Sequence, residues 1–93
     1  MMEINKMLSL STAHITKETE SKLSEQSIYE VNVYEKSEYG YFIYPNIELL
    51  DKRGWDIPED LKKCIGLAKA NNCNWIVFDR DVDPVDELPT YEW

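Results

Sequence analysis

Asp79 and Asp81 stand one residue apart where the apolar run Trp75-Ile76-Val77-Phe78 ends. A carboxylate at the tip of a buried strand, with a second one two residues on, suits phosphoryl transfer. One Asp attacks phosphorus and the other passes the proton, as in phosphatases of the haloacid dehalogenase class. That chemistry opens a doubly wound domain and borrows a lysine and further acids from later in the chain. Here little chain follows the pair. A small metal-assisted, phosphoesterase-like hydrolase using Asp79 and Asp81 is therefore the alternative reading, not the leading one.

The same stretch also mimics the start of a calcium loop, with Asp79, Asp81 and Asp83 as its first, third and fifth ligands. Such a loop needs Gly at its sixth position for the sharp turn and Glu at its twelfth. Pro84 and Thr90 stand there instead, so no metal site and no cofactor are expected. The remaining reading is that Asp79 ends a strand and accepts backbone N–H groups of the following turn. Asp79, Asp81, Asp83, Asp86 and Glu87 then form an acidic surface for a partner.

His14 is the only histidine and follows Ser11 and Thr12. A Ser–His–Asp set is arithmetically available, but no nucleophile elbow or glycine-rich turn accompanies it. His14 is expected to be a structural residue at a helix entry, and no catalytic residue is assigned. Cys64 falls on the apolar face of a predicted helix and Cys73 just past its end, which suits reduced structural thiols.

The charge pattern narrows the partners. The chain carries 18 acids and 10 bases, a net charge of −8. Residues 79–93 hold six acids against Arg80 alone, a balance of −5. An acidic end repels phosphate backbones and anionic lipid, so nucleic acid and membrane are disfavoured as direct partners and a basic protein surface is favoured. No apolar run reaches the roughly 20 residues that span a bilayer, and the N-terminus lacks an export signal, so a cytoplasmic location is expected.

The elements that must position these residues follow from periodicity. The 93 residues suit one small α+β domain, 1–93, with an acidic C-terminal segment, 79–93. A short strand is predicted over 7–11. Thr16 is a plausible N-cap for a polar helix over 16–26 whose thin apolar stripe is Ile15, Thr19 and Leu23. Tyr29, Val31 and Val33 alternate with Glu30 and Asn32 in a strand over 28–35, followed by a turn at 36–40 and a partner strand over 39–44. Residues 45–57 carry no clear signal. Leu61, Cys64, Ile65 and Ala68 fall at helical spacing after Pro58, and Asn71 and Asn72 supply the stop. Residues 74–78 form a fully apolar strand, which suits a central place in a sheet. The resulting order, βαββαβ, predicts a ferredoxin-like, four-stranded antiparallel sheet with two helices on one face. In that arrangement the ends bearing His14 and Asp79 lie at opposite edges; parallel first and last strands would bring them together.

Tyr29, Tyr34, Tyr39, Tyr41, Phe42, Tyr44, Trp55, Trp75, Tyr91 and Trp93 give the chain many aromatics, and on alternating strands some must face outward. Tyr91 or Trp93 is expected to fold back onto the domain. The segments "LSTAHITKET", "EYGYF", "IPEDLKKCIGLAKANNCNWIVFDRD" and "LPTYEW" resemble a bacterial family of short acidic proteins of unknown function, often encoded on plasmids, phages and other mobile elements. That resemblance implies a small acidic protein used against host defence by occupying a nucleic-acid-binding surface. The expected function is a non-enzymatic acidic binding protein. A structural homodimer paired through exposed aromatics is a further alternative.

Overall fold

Trp75–Asp79, with Ile76, Val77 and Phe78 all buried, is apolar toward both faces and takes a central place in the sheet of the computed structural model. The structure describes residues 2, 4–36 and 40–92, with only the backbone of Lys36. Four strands form the sheet: β1 (Met7–Leu10), β2 (Val31–Lys36), β3 (Gly40–Pro45) and β4 (Trp75–Asp79), in the order β1-β4-β3-β2. A 3₁₀ turn, Thr12–His14, follows β1. Among the described residues there are three α-helices: α1 (Lys17–Ser24), α2 (Ile47–Arg53) and α3 (Glu59–Ala70).

The sheet is mixed, which corrects the antiparallel ferredoxin-like expectation. β2 and β3 form the expected antiparallel hairpin, with Val33 opposite Ile43. β3 pairs antiparallel with β4, but β1 pairs parallel with β4, Leu10 opposite Phe78. The physical reason lies in how many faces each strand buries. β1 buries Leu10 fully while Met7 and Ser9 stay exposed, so it suits an edge. β4 buries Ile76 and Phe78 toward the helices and Val77 on the opposite face, and it has a strand on each side.

Three helices, not two, supply the core on one face. Leu23 of α1, Leu50 of α2 and Leu61 and Ile65 of α3 are at most 1% exposed and pack with Ile43, Ile76 and Phe78 of the sheet. Thr16 caps α1 as expected, its hydroxyl accepting the Thr19 N–H. α2 occupies the stretch without a sequence signal; Asn46 caps its start and Gly54, at φ 71°, ends it. α3 stops where Asn72 enters the left-handed region at φ 58°. The predicted strand over 28–35 begins later, at Val31, because residues 29–30 form a turn. Tyr29 stands outside the sheet, 75% exposed, beneath the Arg53 guanidinium. The turn expected at 36–40 falls largely on residues 37–39, outside the described residues.

Gly40 is required where β3 crosses β4. A Cβ there would lie 1.6 Å from the Phe78 carbonyl oxygen, so no other residue fits without moving the strands. On the same strand the Tyr41 hydroxyl donates to Glu20 at 2.6 Å and ties β3 to α1.

Among the described residues no helix covers the other face of the sheet. Met7, Trp75, Tyr44 and Asn32 form one row across the strands, and Ser9, Val77, Phe42 and Tyr34 form the next. No charged residue stands in either row.

Candidate partner-binding surface

Parallel pairing of β1 with β4 brings their C-terminal ends to one edge, so Ser11 and Asp79 leave the sheet side by side. This overturns the opposite-edge expectation for His14 and Asp79. It does not assemble a catalytic set. His14 is 1% exposed and both its ring nitrogens are engaged by main chain. Nε2 accepts the Val85 N–H at 2.9 Å, so Nε2 is unprotonated. Nδ1 must then carry the proton, and it donates to the Pro89 carbonyl at 2.8 Å. The Ser11 hydroxyl accepts the Ala13 N–H and caps the 3₁₀ turn. No ring nitrogen remains to activate a nucleophile.

These contacts instead pin the C-terminal segment. Residues 80–92 contain no helix or strand. They are held at Val85 and Pro89 by His14, and at Tyr91, whose N–H donates to the Ala13 carbonyl at 2.8 Å. Leu88 is 9% exposed and joins the core, with Val85 packed against it. Tyr91 folds back as expected and is half-buried, while Trp93 lies outside the described residues.

Asp79 serves the turn. Its Oδ1 accepts the Asp81 N–H at 2.8 Å, and its carbonyl accepts the Val82 N–H at 3.2 Å. Asp79 itself is half-buried. Asp81, Asp83, Asp86 and Glu87 are exposed on the pinned segment, as is Glu92. Half-buried Val82 and Val85 and buried Leu88, interspersed with exposed acids, turn the negative charge outward. Among the described residues no group of three or more His, Cys, Asp or Glu side chains is arranged to hold a metal ion.

Sequence reasoning missed a second polar anchor. Asp60, 8% exposed, accepts the Thr16 N–H through Oδ2 at 2.8 Å and the Thr19 hydroxyl through Oδ1 at 2.9 Å. It caps the start of α1 from α3. Its place in the first turn of α3 suits the helix dipole and does not by itself announce the contact with α1. One turn on, Cys64 is buried with its Sγ 3.9 Å from the His14 carbonyl. Burial, and secondarily the Asp60 charge, push the Cys64 thiol up to about 12.

A groove of about 620 Å³ opens at the other end of β4, among Asn46, Lys69, Asn72 and Cys73. It is remote from the acidic segment along the strand direction.

Residues 7–93 match the C-terminal domain of a family of unknown function, DUF5983. The chain belongs to that family. No curated protein and no solved structure matches it. The DUF5983 match begins at Met7, the first residue of β1, and runs through the pinned acidic segment, so the parallel edge and the His14 contacts lie within the family's domain. Among the described residues no helix is long and apolar enough to cross a membrane.

Proposed function

We propose that this DUF5983 domain is a non-enzymatic binding protein that presents its acidic C-terminal segment to a basic surface on a partner protein. The observation that carries this reading is the pinned segment itself: Asp81, Asp83, Asp86 and Glu87 point outward from a chain held by His14 and by buried Leu88. An ordered acidic surface loses less conformational freedom on binding than a free acidic tail. Its charge speeds encounter with a basic patch, and a few desolvated aromatics supply affinity.

The partner chemistry that fits is a nucleic-acid-binding surface, since its spaced cations already match anionic groups. The family resemblance to proteins of plasmids and phages makes a host defence protein the target class, with this chain as the mobile element's inhibitor. A cytoplasmic encounter follows from that role.

Affinity capture from host lysate at low and at moderate salt tests the proposal. A nucleic-acid-binding protein is expected to be retained by the wild type at low salt. It is expected to be lost when Asp81, Asp83 and Asp86 become Asn and Glu87 becomes Gln. Equal retention by the wild type and the neutralised variant would sink the reading.

A further inference from the structure

The uncovered face of the sheet differs from the acidic end in every respect that governs recognition. A groove of about 300 Å³ opens on it between Met7, Tyr34, Phe42 and Trp75, with apolar walls. The Tyr34 and Tyr44 rings tilt against Trp75, at centroid distances of 5.9 and 5.0 Å. Met7, Tyr34 and Tyr44 are 46%, 54% and 37% exposed. Thirty per cent of the chain is charged, yet the two cross-strand rows of this face carry no charge. We infer that the face pairs with the same face of a second copy, with the strands of the two sheets running in opposite directions.

The distribution of charge selects the occupant. A basic partner is drawn to the segment that carries −5 of the chain's −8, not to a neutral face. An anionic ligand meets no cation in these rows. The complement of a neutral aromatic face is another neutral aromatic face, and a two-fold axis supplies one without a second protein. Stacked sheets lie about 10 Å apart with side chains interdigitating, which suits the ridge of Tyr34, Trp75 and Tyr44 beside the Met7 groove.

Area sets the strength. Large side chains bury about 150–250 Å² each when fully covered, so the exposed parts of this face amount to roughly 400–500 Å² per copy. Two copies bury about 1,000 Å², close to the lower bound for a specific interface and below the roughly 1,600 Å² of a stable one. The dimer is accordingly weak and concentration-dependent.

Electrostatics sets the direction. Parallel stacking would put two acidic ends side by side. Antiparallel stacking puts them about 20 Å apart along the strands, since Asp79 lies three residues past the middle of the face in each copy at about 3.3 Å per residue. That distance is about two screening lengths at physiological salt, where the Debye length is about 8 Å. The product is a dimer with one acidic surface at each end. This inference stands apart from the proposed partner, because it is read on the protein alone.

Sedimentation equilibrium of the full chain from about 10 μM to about 1 mM tests it, the range in which a weak dimer dissociates. Monomer is expected at the low end and dimer at the high end. Met7→Glu and Tyr34→Glu alter exposed side chains. Each is expected to leave the far-ultraviolet circular dichroism unchanged and to weaken dimerisation about tenfold or more. A chain that stays monomeric to about 1 mM, or a dimer indifferent to both substitutions, overturns the pairing. Spin labels on Asp81→Cys, just past the end of β4, in a Cys73→Ser background read the direction: a separation of about 20 Å or more is expected, and one of about 10 Å, the spacing of stacked sheets, overturns the antiparallel arrangement.

Discussion

Asp60 and His14 each pin a segment to the core from a buried position, and they do so in opposite ways. Asp60 offers two acceptor oxygens to the Thr16 N–H and the Thr19 hydroxyl at the start of α1. His14 offers one acceptor and one donor, to Val85 and Pro89 of the acidic segment. The segments they hold differ as well. α1 has its own helical hydrogen bonds and its own cap at Thr16. Residues 80–92 form no helix or strand of their own; turn contacts run from the Val82 N–H to the Asp79 carbonyl and, at 3.4 Å, from the Leu88 N–H to the Val85 carbonyl. A segment with its own ladder needs a pin for stability. A segment without one needs it to have a shape at all.

Breaking the Asp60 pin should have the largest effect on global stability. Asp60→Ala leaves the Thr16 N–H and Thr19 hydroxyl buried without an acceptor, and is expected to cost about 3 kcal/mol in urea unfolding. Asp60→Asn keeps one acceptor and should lose less. If Asp60→Ala lowers stability by under about 0.5 kcal/mol, the two pins are not comparable in kind.

Cys64 lies between the pins, one turn after Asp60 and beside the His14 carbonyl. Its thiol is raised from an ordinary value of 9.0 to about 12 in the folded protein, first by burial and then by Asp60. The folded state therefore disfavours the thiolate. The stability this provides is fully present below about pH 9 and is lost as pH rises from about 9 toward about 12, at up to about 1.4 kcal/mol per pH unit. Tyr41, raised by burial and by Glu20, adds in the same direction above its usual range. Urea midpoints at about pH 8 and about pH 10.5 should fall steeply for the wild type and less for Cys64→Ala. Equal falls in both would remove Cys64 from the account.

Much of this arrangement is legible in the sequence where the signal is local. Leu61, Cys64, Ile65 and Ala68 announce α3, and all four are buried. Thr16 announces the start of α1, and Val31 with Val33 announce β2. α2 is not legible by periodicity because seven residues with one buried side chain, Leu50, leave no stripe; its punctuation, Asn46 and Gly54, is the better signal. Strand order fails for another reason. Pairing is a long-range choice, and its only trace is that β4 is apolar toward both faces while β1 is not. The His14 pin joins residues 71 and 75 positions apart, and no spacing rule reaches that far. Asp79 read correctly as a turn acceptor because that contact is two residues long.

The smallest expected global effect, and the most informative local one, belongs to His14. Amide hydrogen exchange followed residue by residue in the wild type and in His14→Ala tests most directly whether the acidic surface is ordered by this side chain. In the wild type the Val85 and Tyr91 amides, bonded to His14 Nε2 and the Ala13 carbonyl, should exchange far more slowly than the neighbouring Asp86 and Glu87 amides. In His14→Ala that protection should vanish while Ile76 and Phe78 of β4 remain protected. A Val85 amide that exchanges as fast as Asp86 in the wild type, or one that stays protected in His14→Ala, would contradict the account.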